Sequence, residues 1–356
     1  MIGPVHINTI WMFLAGLVGG FVAMAIGAPL PFMLGGILGA GGFVLWYEHG
    51  SERRINKMHP MVRFSAVAVV GTMIGATFSP ELVNQLSSYW ISGLAVLLFM
   101  PMAHAGSYQI MRRVGKYSPR DAYFGAMPGG LIEAVLMGEK MGADVRVLTV
   151  QHFVRIIVVV MSVPFLFLII TGEVVGSASG MVLSKHAYDF WDIIAIFAIA
   201  AVGMQVGRLL HIPAGHMMGP LLICMALQTT GVTEINDPPW LLKAGQYILG
   251  VGLGAQFSGL RRAMLVKGMG MGLLTVAYML SLSFGFAYLL RPLVHADLSA
   301  LFISFAPGGV TEMSLIALSL QLSPVAVALH HLIRIVAAVW IGGRFATYMF
   351  GPPERP

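Results

Sequence analysis

Apolar stretches close to the length of a membrane-spanning helix follow one another along the whole chain. A helix needs about 20 apolar residues to cross the hydrocarbon core of a bilayer. The pattern therefore predicts an all-α integral membrane protein, a polytopic helical bundle with six segments in each half. Those of the first half lie near residues 9–27, 29–46, 62–79, 88–106, 121–138 and 147–171, and those of the second near 188–208, 212–229, 240–258, 268–289, 299–321 and 324–348.

The two halves are copies of one another, because six polar or helix-breaking residues recur in both at the same spacing. In the first half they are Pro128, Gly129, Gly130, Glu133, His152 and Arg155, and a shift of 179 residues aligns them without a gap with Pro307, Gly308, Gly309, Glu312, His331 and Arg334. Chance similarity between apolar sequences would match leucines and valines rather than charges. We infer a duplication with repeat 1 at residues 1–175, a linker at 176–186 and repeat 2 at 187–356.

Basic residues lie in opposite loops of the two halves. Between the second and third segments the first half has Arg53, Arg54, Lys57 and Arg63, whereas residues 230–240 of the second half contain no base. Between the third and fourth segments the second half has Arg261, Arg262 and Lys267, and the first half has none. Since Lys and Arg mark the cytoplasmic side, the halves are predicted to be inverted-topology repeats, with both termini cytoplasmic.

Inversion requires an odd number of crossings in each half, so one of the six segments should not cross. We favour the segment with Pro-Gly-Gly, because that tripeptide interrupts a helix and frees backbone groups. The pair of segments joined by "GAPLP" at 27–31 is the alternative. The prediction is about ten crossings and two broken or re-entrant Pro-Gly-Gly helices.

The recurring polar residues are the candidate substrate-binding site. Non-helical backbone at membrane depth is tolerated only where protein buries it or water reaches it, so each Pro-Gly-Gly marks an internal cavity. The helix that follows points its N-terminal N–H groups there, which favours an anion. Glu133 and Glu312 lie in the first turns of these helices, and His152 and Arg155 share one helix face, as do His331 and Arg334. The alternative is a structural Glu–Arg ion pair in each half.

Other polar residues within the segments have less specific interpretations. Hydrogen bonds to neighbouring helices are the more frequent role of such side chains, although some could reach a substrate; they are Gln151, Gln256, Thr311, Ser314 and His330. His104, His211 and His216 have no Asp or Glu at a spacing suited to shared metal ligation, and we interpret them as interfacial or packing residues.

Composition excludes several classes of function. Hydrophobic residues make up 57% of the 356 positions and charged residues only 10%. The net charge of +6 comes from short basic clusters between apolar segments, which fits membrane orientation rather than nucleic-acid binding. The chain has one cysteine and none of the usual catalytic fingerprints, so we expect no metal site, no cofactor and no enzyme.

Two copies of the pattern "PGGxxE…H(x)xR", with "IGAPLPFMLGGILGA" and "LHIPAGHMMGPLLICMAL" opening the halves, resemble the AbrB-type duplicated membrane proteins of Gram-negative bacteria. This family often carries the labels ammonia monooxygenase or membrane regulator, and it is unrelated to the small DNA-binding regulator of the same name. The resemblance covers nearly the whole chain and implies an inner-membrane location. An ammonia monooxygenase would need a metal site, and the sequence offers no ligand cluster of the usual kind.

These patterns predict a secondary transporter that moves a small polar or anionic metabolite, coupled to protons or sodium. Inverted repeats with broken helices are similar in architecture to the sodium/proton antiporter and bile-acid symporter group. The rival prediction is a membrane-embedded regulator that binds a ligand without moving it. The expected partners are the substrate and the lipid bilayer. The sequence allows a homodimer but does not predict the oligomeric state.

Overall fold

The structure is a computed structural model in which every described segment is helix, turn or loop, in agreement with the predicted all-α class. It describes residues 7–49, 54–55, 58–78, 89–129, 131–171, 188–212, 214–236, 238–260, 262–294, 296–320 and 322–351, without the side chains of residues 7, 131–133, 170–171, 262 and 325. The predicted linker at 176–186 lies outside these residues.

The described residues form fifteen α-helices. They are α1 (Ile7–Ala25), α2 (Pro31–Tyr47), α3 (Pro60–Ala76), α4 (Trp90–Arg113), α5 (Pro119–Ala126), α6 (Leu131–Lys140), α7 (Val145–Thr171), α8 (Phe190–Leu209), α9 (Gly215–Thr229), α10 (Pro239–Gly254), α11 (Arg262–Val294), α12 (Leu298–Phe305), α13 (Val310–Ser319), α14 (Pro324–Ala337) and α15 (Gly343–Phe350). A 3₁₀ turn (Ala255–Phe257) follows α10, and a π segment (Ala338–Gly342) joins α14 to α15. Proline opens five of these helices, where its missing N–H costs no hydrogen bond.

Within the described residues, six helical stretches are long and apolar enough to cross a bilayer, as expected of a multi-pass membrane protein. They lie at Asn8–Ala25, Trp90–Arg113, Val145–Ile169, Phe190–Leu209, Ala263–Val294 and Ala326–Phe350. The outer faces of several of these helices expose large apolar side chains, such as Trp11, Phe21 and Phe197. α2, α3, α9 and α10 have only 15 to 17 residues. The count of about ten crossings therefore stays a prediction.

The chain divides into two compact units, and each contains helices from both predicted repeats. Unit 1 comprises residues 1–83, 161–260 and 318–321 and so includes α1–α3 and α8–α10. Unit 2 comprises residues 84–160, 261–317 and 322–356. It includes α4–α6, the first part of α7, α11, α12, most of α13, α14 and α15. The first three predicted segments of each half thus belong to unit 1, and the last three belong mainly to unit 2.

In unit 1 two close backbone contacts join a helix of the first half to a helix of the second half, and the two contacts are equivalent. A Cβ added to Gly71 on α3 would lie 2.5 Å from the carbonyl oxygen of Met217 on α9, and one added to Gly250 on α10 would lie 2.4 Å from that of Met33 on α2. The repeat alignment makes Gly71 equivalent to Gly250, and Met33 equivalent to Met217. This exchange fits two halves related by a twofold axis. Inversion across the membrane stays a prediction.

The turns that open α2 and α9 are also equivalent. Leu30 (φ 43°) and Ala214 (φ 52°) adopt the left-handed conformation immediately before these helices. The preceding helices pack on them through glycine: a Cβ on Gly35 would lie 2.2 Å from the Gly19 carbonyl oxygen, and the second half repeats this contact. Only glycine allows two helix backbones to approach so closely.

Candidate functional site

In each half of the chain the helical segment that contains Pro-Gly-Gly is interrupted, as the sequence predicts. Both interruptions lie in unit 2. α5 and α12 have 8 residues each, and α6 and α13, which follow the breaks, have 10 each. The residues that precede the prolines are extended, with ψ 117° at Met127 and 142° at Ala306. The proline ring disfavours the helical conformation in the residue before it. Proline alone does not break the other helices, since Pro101 and Pro164 lie inside α4 and α7, so the glycines of each Pro-Gly-Gly also favour the breaks.

Arg155 on α7 binds the first break. Its Nη1 donates to the carbonyl oxygen of Met127 at 2.8 Å, and its Nη2 lies 3.0 Å from His152 Nδ1. His152 Nε2 lies 2.8 Å from the carbonyl oxygen of Phe124. Since a carbonyl only accepts, Nε2 carries the imidazole hydrogen, and Nδ1 is free to accept from the guanidinium. Both side chains are buried, and they hold the end of α5 in place.

Arg334 on α14 binds the second break in the equivalent way. Its Nη1 donates to the carbonyl oxygen of Ala306 and its Nη2 to that of Gly308, both at 2.6 Å. The alignment matches Arg334 with Arg155 and Ala306 with Met127, so one bond recurs in both halves. The second bond differs, because His331 Nδ1 donates to the carbonyl of Val327 on its own helix instead of accepting from the arginine.

Glu312 lies over the N-terminus of α13, with only 4% of its surface exposed. Its Oε2 occupies the space that a Cβ on Gly309 would fill, 2.1 Å from that position, so Gly309 makes room for the carboxylate. Among the described residues, no ion pair within 4.0 Å joins Glu312 to either arginine. The helix dipole favours a negative charge at this end. The Glu–Arg ion pair considered from the sequence is therefore not formed by Glu312 and Arg334.

Several buried polar atoms around the second break have no hydrogen-bond partner within the described part of the chain. They include Ser314 Oγ and Nε of Arg334, and Nε of Arg155 shares this property at the first break. The charge of Arg155 also acts on Arg334, so the two cations lie within electrostatic reach of one another. Unit 2 thus holds two buried guanidinium groups with donors to spare and one described buried carboxylate, a combination that favours binding of an anion.

An apolar pocket of about 410 Å³ lies beside the first broken helix. Its lining includes Met100, His104, Tyr123, Gly342 and Phe345. His104 Nε2 donates to the carbonyl oxygen of Tyr123 at 2.8 Å, and the Tyr123 hydroxyl donates to the carbonyl oxygen of Gly342 at 2.8 Å. His104 Nε2 and the Tyr123 hydroxyl are thereby satisfied, and the mainly apolar lining suits an apolar ligand.

Comparison with known proteins identifies the family. The family model "AbrB: Transition state regulatory protein AbrB" matches residues 32–350. The chain belongs to the AbrB family. It is 25% identical over 301 residues to "Putative regulator AbrB" of Escherichia coli (strain K12), covering 83% of this chain and 82% of the relative. It is 23% identical over 360 residues to "Uncharacterized protein YhjN" of Bacillus subtilis (strain 168), covering 94% and 91%.

Most of the residues predicted for the site of this AbrB-family chain occur together in unit 2. Pro128, Pro307 and Gly308 are buried at the breaks, Gly129 packs against Ala338, and Glu312 and the two His–Arg pairs are placed as described above. Gly130 and the side chain of Glu133 lie outside the described residues. Gln256 belongs to unit 1, whereas these contacts lie within unit 2.

Two residues that contact the first broken helix were not among the predicted site residues. His104 was interpreted as interfacial or packing, yet it binds a carbonyl one residue before the one that His152 binds. Tyr123 was not singled out, although it links α5 to the π segment after Arg334. For Tyr123 the sequence signal was its position, five residues before Pro128 in the short helix that leads to the break.

Proposed function

We propose that this chain is a secondary transporter of the cell inner membrane that moves a small polar or anionic metabolite, coupled to protons or sodium. The observation that carries the proposal is the pair of buried arginines bound to interrupted helices. A charge at the centre of a bilayer costs at least about 2.5–3.5 kcal/mol on insertion scales, and such residues mark substrate or ion pathways. Discontinuous helices supply substrate sites in known transporter folds.

The chemistry of the site supports an anionic substrate. Two guanidinium groups are buried at 5% and 4% exposure, and neither forms an ion pair with a described carboxylate. Helices α6 and α13 begin at the same breaks and point their N-terminal dipoles there. Glu312 supplies a buried group that can exchange a proton during the cycle.

Flux through proteoliposomes tests the proposal. Purified protein is reconstituted, and charge movement and uptake are recorded for a panel of radiolabelled carboxylates, phosphates and sulfate under proton and sodium gradients. We expect saturable uptake of at least one anion by the wild type and none by Arg334→Ala. Absence of flux with every panel member, in vesicles that contain folded protein, would contradict transport.

A membrane-embedded regulator is the second candidate function. The apolar pocket beside Tyr123 favours it, because a ligand there would contact both α5 and the π segment. The name of the Escherichia coli relative points in the same direction. Ligand-dependent stabilisation of the protein without any flux would support this function instead.

Membrane orientation is tested by cysteine labelling. Cys224 is the single cysteine of the chain, so a Cys224→Ser background has no thiol to label. His49→Cys and Glu234→Cys place exposed thiols in equivalent loops of the two halves. Inverted repeats with cytoplasmic termini predict labelling of position 49 from the cytoplasm and of position 234 from outside. Labelling of both from one side would rule out inversion.

A further inference from the structure

The interrupted helices of unit 2 offer carbonyl oxygens of the kind that coordinate cations in transporters. A helix break leaves carbonyls without their intrahelical N–H partners. In known folds with discontinuous helices, unwound carbonyls of this type coordinate Na⁺. The corresponding oxygens here belong to Met127 at the first break and to Ala306 and Gly308 at the second.

These oxygens already have a cationic partner in this chain. Arg155 Nη1 lies 2.8 Å from the Met127 oxygen, and the two terminal nitrogens of Arg334 lie 2.6 Å from the oxygens of Ala306 and Gly308. Na⁺ cannot occupy the space that a guanidinium fills. A second cation beside a buried one would also be strongly repelled, since the interior screens charge poorly.

The arrangement recurs, which argues that it is a property of the site and not a local accident of packing. Arg155 and Arg334 are equivalent under the repeat alignment, and so are their acceptors Met127 and Ala306. Arginine suits this role because its charge is permanent and its planar fork reaches two oxygens at once. At the second break the fork does so, with both terminal nitrogens on carbonyls.

We propose that Arg155 and Arg334 are resident cations: each fills with its guanidinium the carbonyl site that a broken helix would otherwise offer to Na⁺. Substrate binding at this site is therefore independent of Na⁺. The inference rests on the proposed function in that it narrows the coupling ion of the same site, and it leaves the proton as the coupling ion.

The first test measures thermal unfolding of the purified wild type, which requires no knowledge of the substrate. Melting temperatures are compared in sodium chloride and choline chloride at equal ionic strength. Because a ligand that binds the folded state raises its melting temperature by mass action, a resident cation predicts the same value in both salts. A saturable rise specific to Na⁺ would overturn the proposal.

The second test removes the resident cation and supplies it from solution. Arg334→Ala removes the guanidinium donors from the oxygens of Ala306 and Gly308, so its melting temperature should fall. Millimolar guanidinium chloride should restore part of that loss relative to choline chloride and leave the wild type unchanged. Folded Arg334→Ala protein that shows no response to guanidinium would overturn the proposal. If the variant gives no folded protein, the wild-type comparison decides.

Arg344→Ala is the matched control. Arg344 is exposed on α15, and its guanidinium lies 5.6 Å from the centre of the Trp340 ring. Its removal empties no carbonyl site, so guanidinium should not raise the melting temperature of this variant.

The two proposals fail separately. Suppose that Na⁺ does not change the wild-type melting temperature and guanidinium raises that of Arg334→Ala, but the wild type moves no anion. This result would support the resident cations and contradict transport. A wild type that moves an anion and has a higher melting temperature in Na⁺ would support transport and contradict the resident cations.

Discussion

Unit 1 and unit 2 bury different kinds of surface. Unit 1 is held by glycines at which one backbone touches another, as where Gly71 meets Met217 and Gly250 meets Met33. Unit 2 contains the most deeply buried charged and histidine side chains among the described residues. These are His152, Arg155, Glu312, His330, His331 and Arg334.

This difference supports the proposal that unit 2 carries the function. Close packing of small residues can associate helices in lipid without buried charges. Buried charges are costly there and add little that packing cannot supply. Unit 2 nevertheless retains two buried arginines at equivalent positions, each bound to the break of a neighbouring interrupted helix, and this supports the proposal that unit 2 carries the activity.

The largest effect on stability is expected from filling a glycine contact in unit 1. A Cβ on Gly219 would lie 2.0 Å from the Gly203 carbonyl oxygen, so Gly219→Ala must push α8 and α9 apart. We expect a loss of about 3 kcal/mol or more, seen as a much lower melting temperature. Gly42→Ala is the control, because nothing lies within 4 Å of its added Cβ. An unchanged melting temperature for Gly219→Ala would remove the distinction between the units.

In unit 2 the corresponding experiment should affect activity rather than stability. Glu312→Gln keeps the shape of the side chain and removes its titratable charge. Since the carboxylate has no ion-pair partner among the described residues, we expect the melting temperature to change little. Uptake of the transported anion should fall about tenfold or more, which corresponds to about 1.4 kcal/mol. Normal uptake by a well-folded variant would exclude Glu312 as the coupling group.

A glutamate-to-glutamine substitution at Glu48 in unit 1 should instead lower stability and leave uptake unchanged. Glu48 accepts from the Ser258 hydroxyl at 2.6 Å and from the backbone N–H groups of Ile55 and Gly259 at 2.9 Å. Glu48→Gln should therefore cost about 1–2 kcal/mol at neutral pH and leave uptake unchanged. Equal stability of the two proteins at neutral pH would contradict this account.

The pH dependence of that loss gives a further check. Burial alone would raise the pKa of Glu48, but the hydrogen bonds from Ser258, Ile55 and Gly259 and the charge of Arg54 lower it below its ordinary value. A lowered pKa stabilises the folded state above the unfolded pKa, and this contribution disappears as pH falls through the folded pKa. The difference in melting temperature between wild type and Glu48→Gln should therefore narrow below about pH 4.

The smallest effect is expected at the rim of the pocket in unit 2. Tyr123→Phe removes one buried hydroxyl that donates to the carbonyl oxygen of Gly342 at 2.8 Å and keeps the aromatic ring. A single neutral hydrogen bond contributes about 1 kcal/mol, so a decrease of a few degrees in melting temperature should follow. A loss as large as that of Gly219→Ala would show that unit 2 also depends on this contact for its stability.

The sequence predicted the helical class, and it located the breaks because their cause is local. Proline removes an N–H at Pro128 and Pro307 and disfavours the helical conformation in the residue before it, and the glycines that follow weaken the helix further. The spacing of His152 and Arg155 correctly placed the two side chains together on one helix face. Segment ends were less accurate: the segment predicted at 88–106 extends to Arg113 in α4.

Residue types and their spacing determined by themselves that this chain is an apolar, duplicated helical protein with two equivalent interruptions and buried charges beside them. Only the tertiary structure decided what those charges touch. The sequence offered Glu312 as the partner of Arg334, whereas the folded chain brings Arg334 to carbonyls 26 and 28 residues away. Helical periodicity specifies the face on which a side chain lies, but the acceptor within reach depends on how separate helices pack, and that is set by contacts distant in sequence.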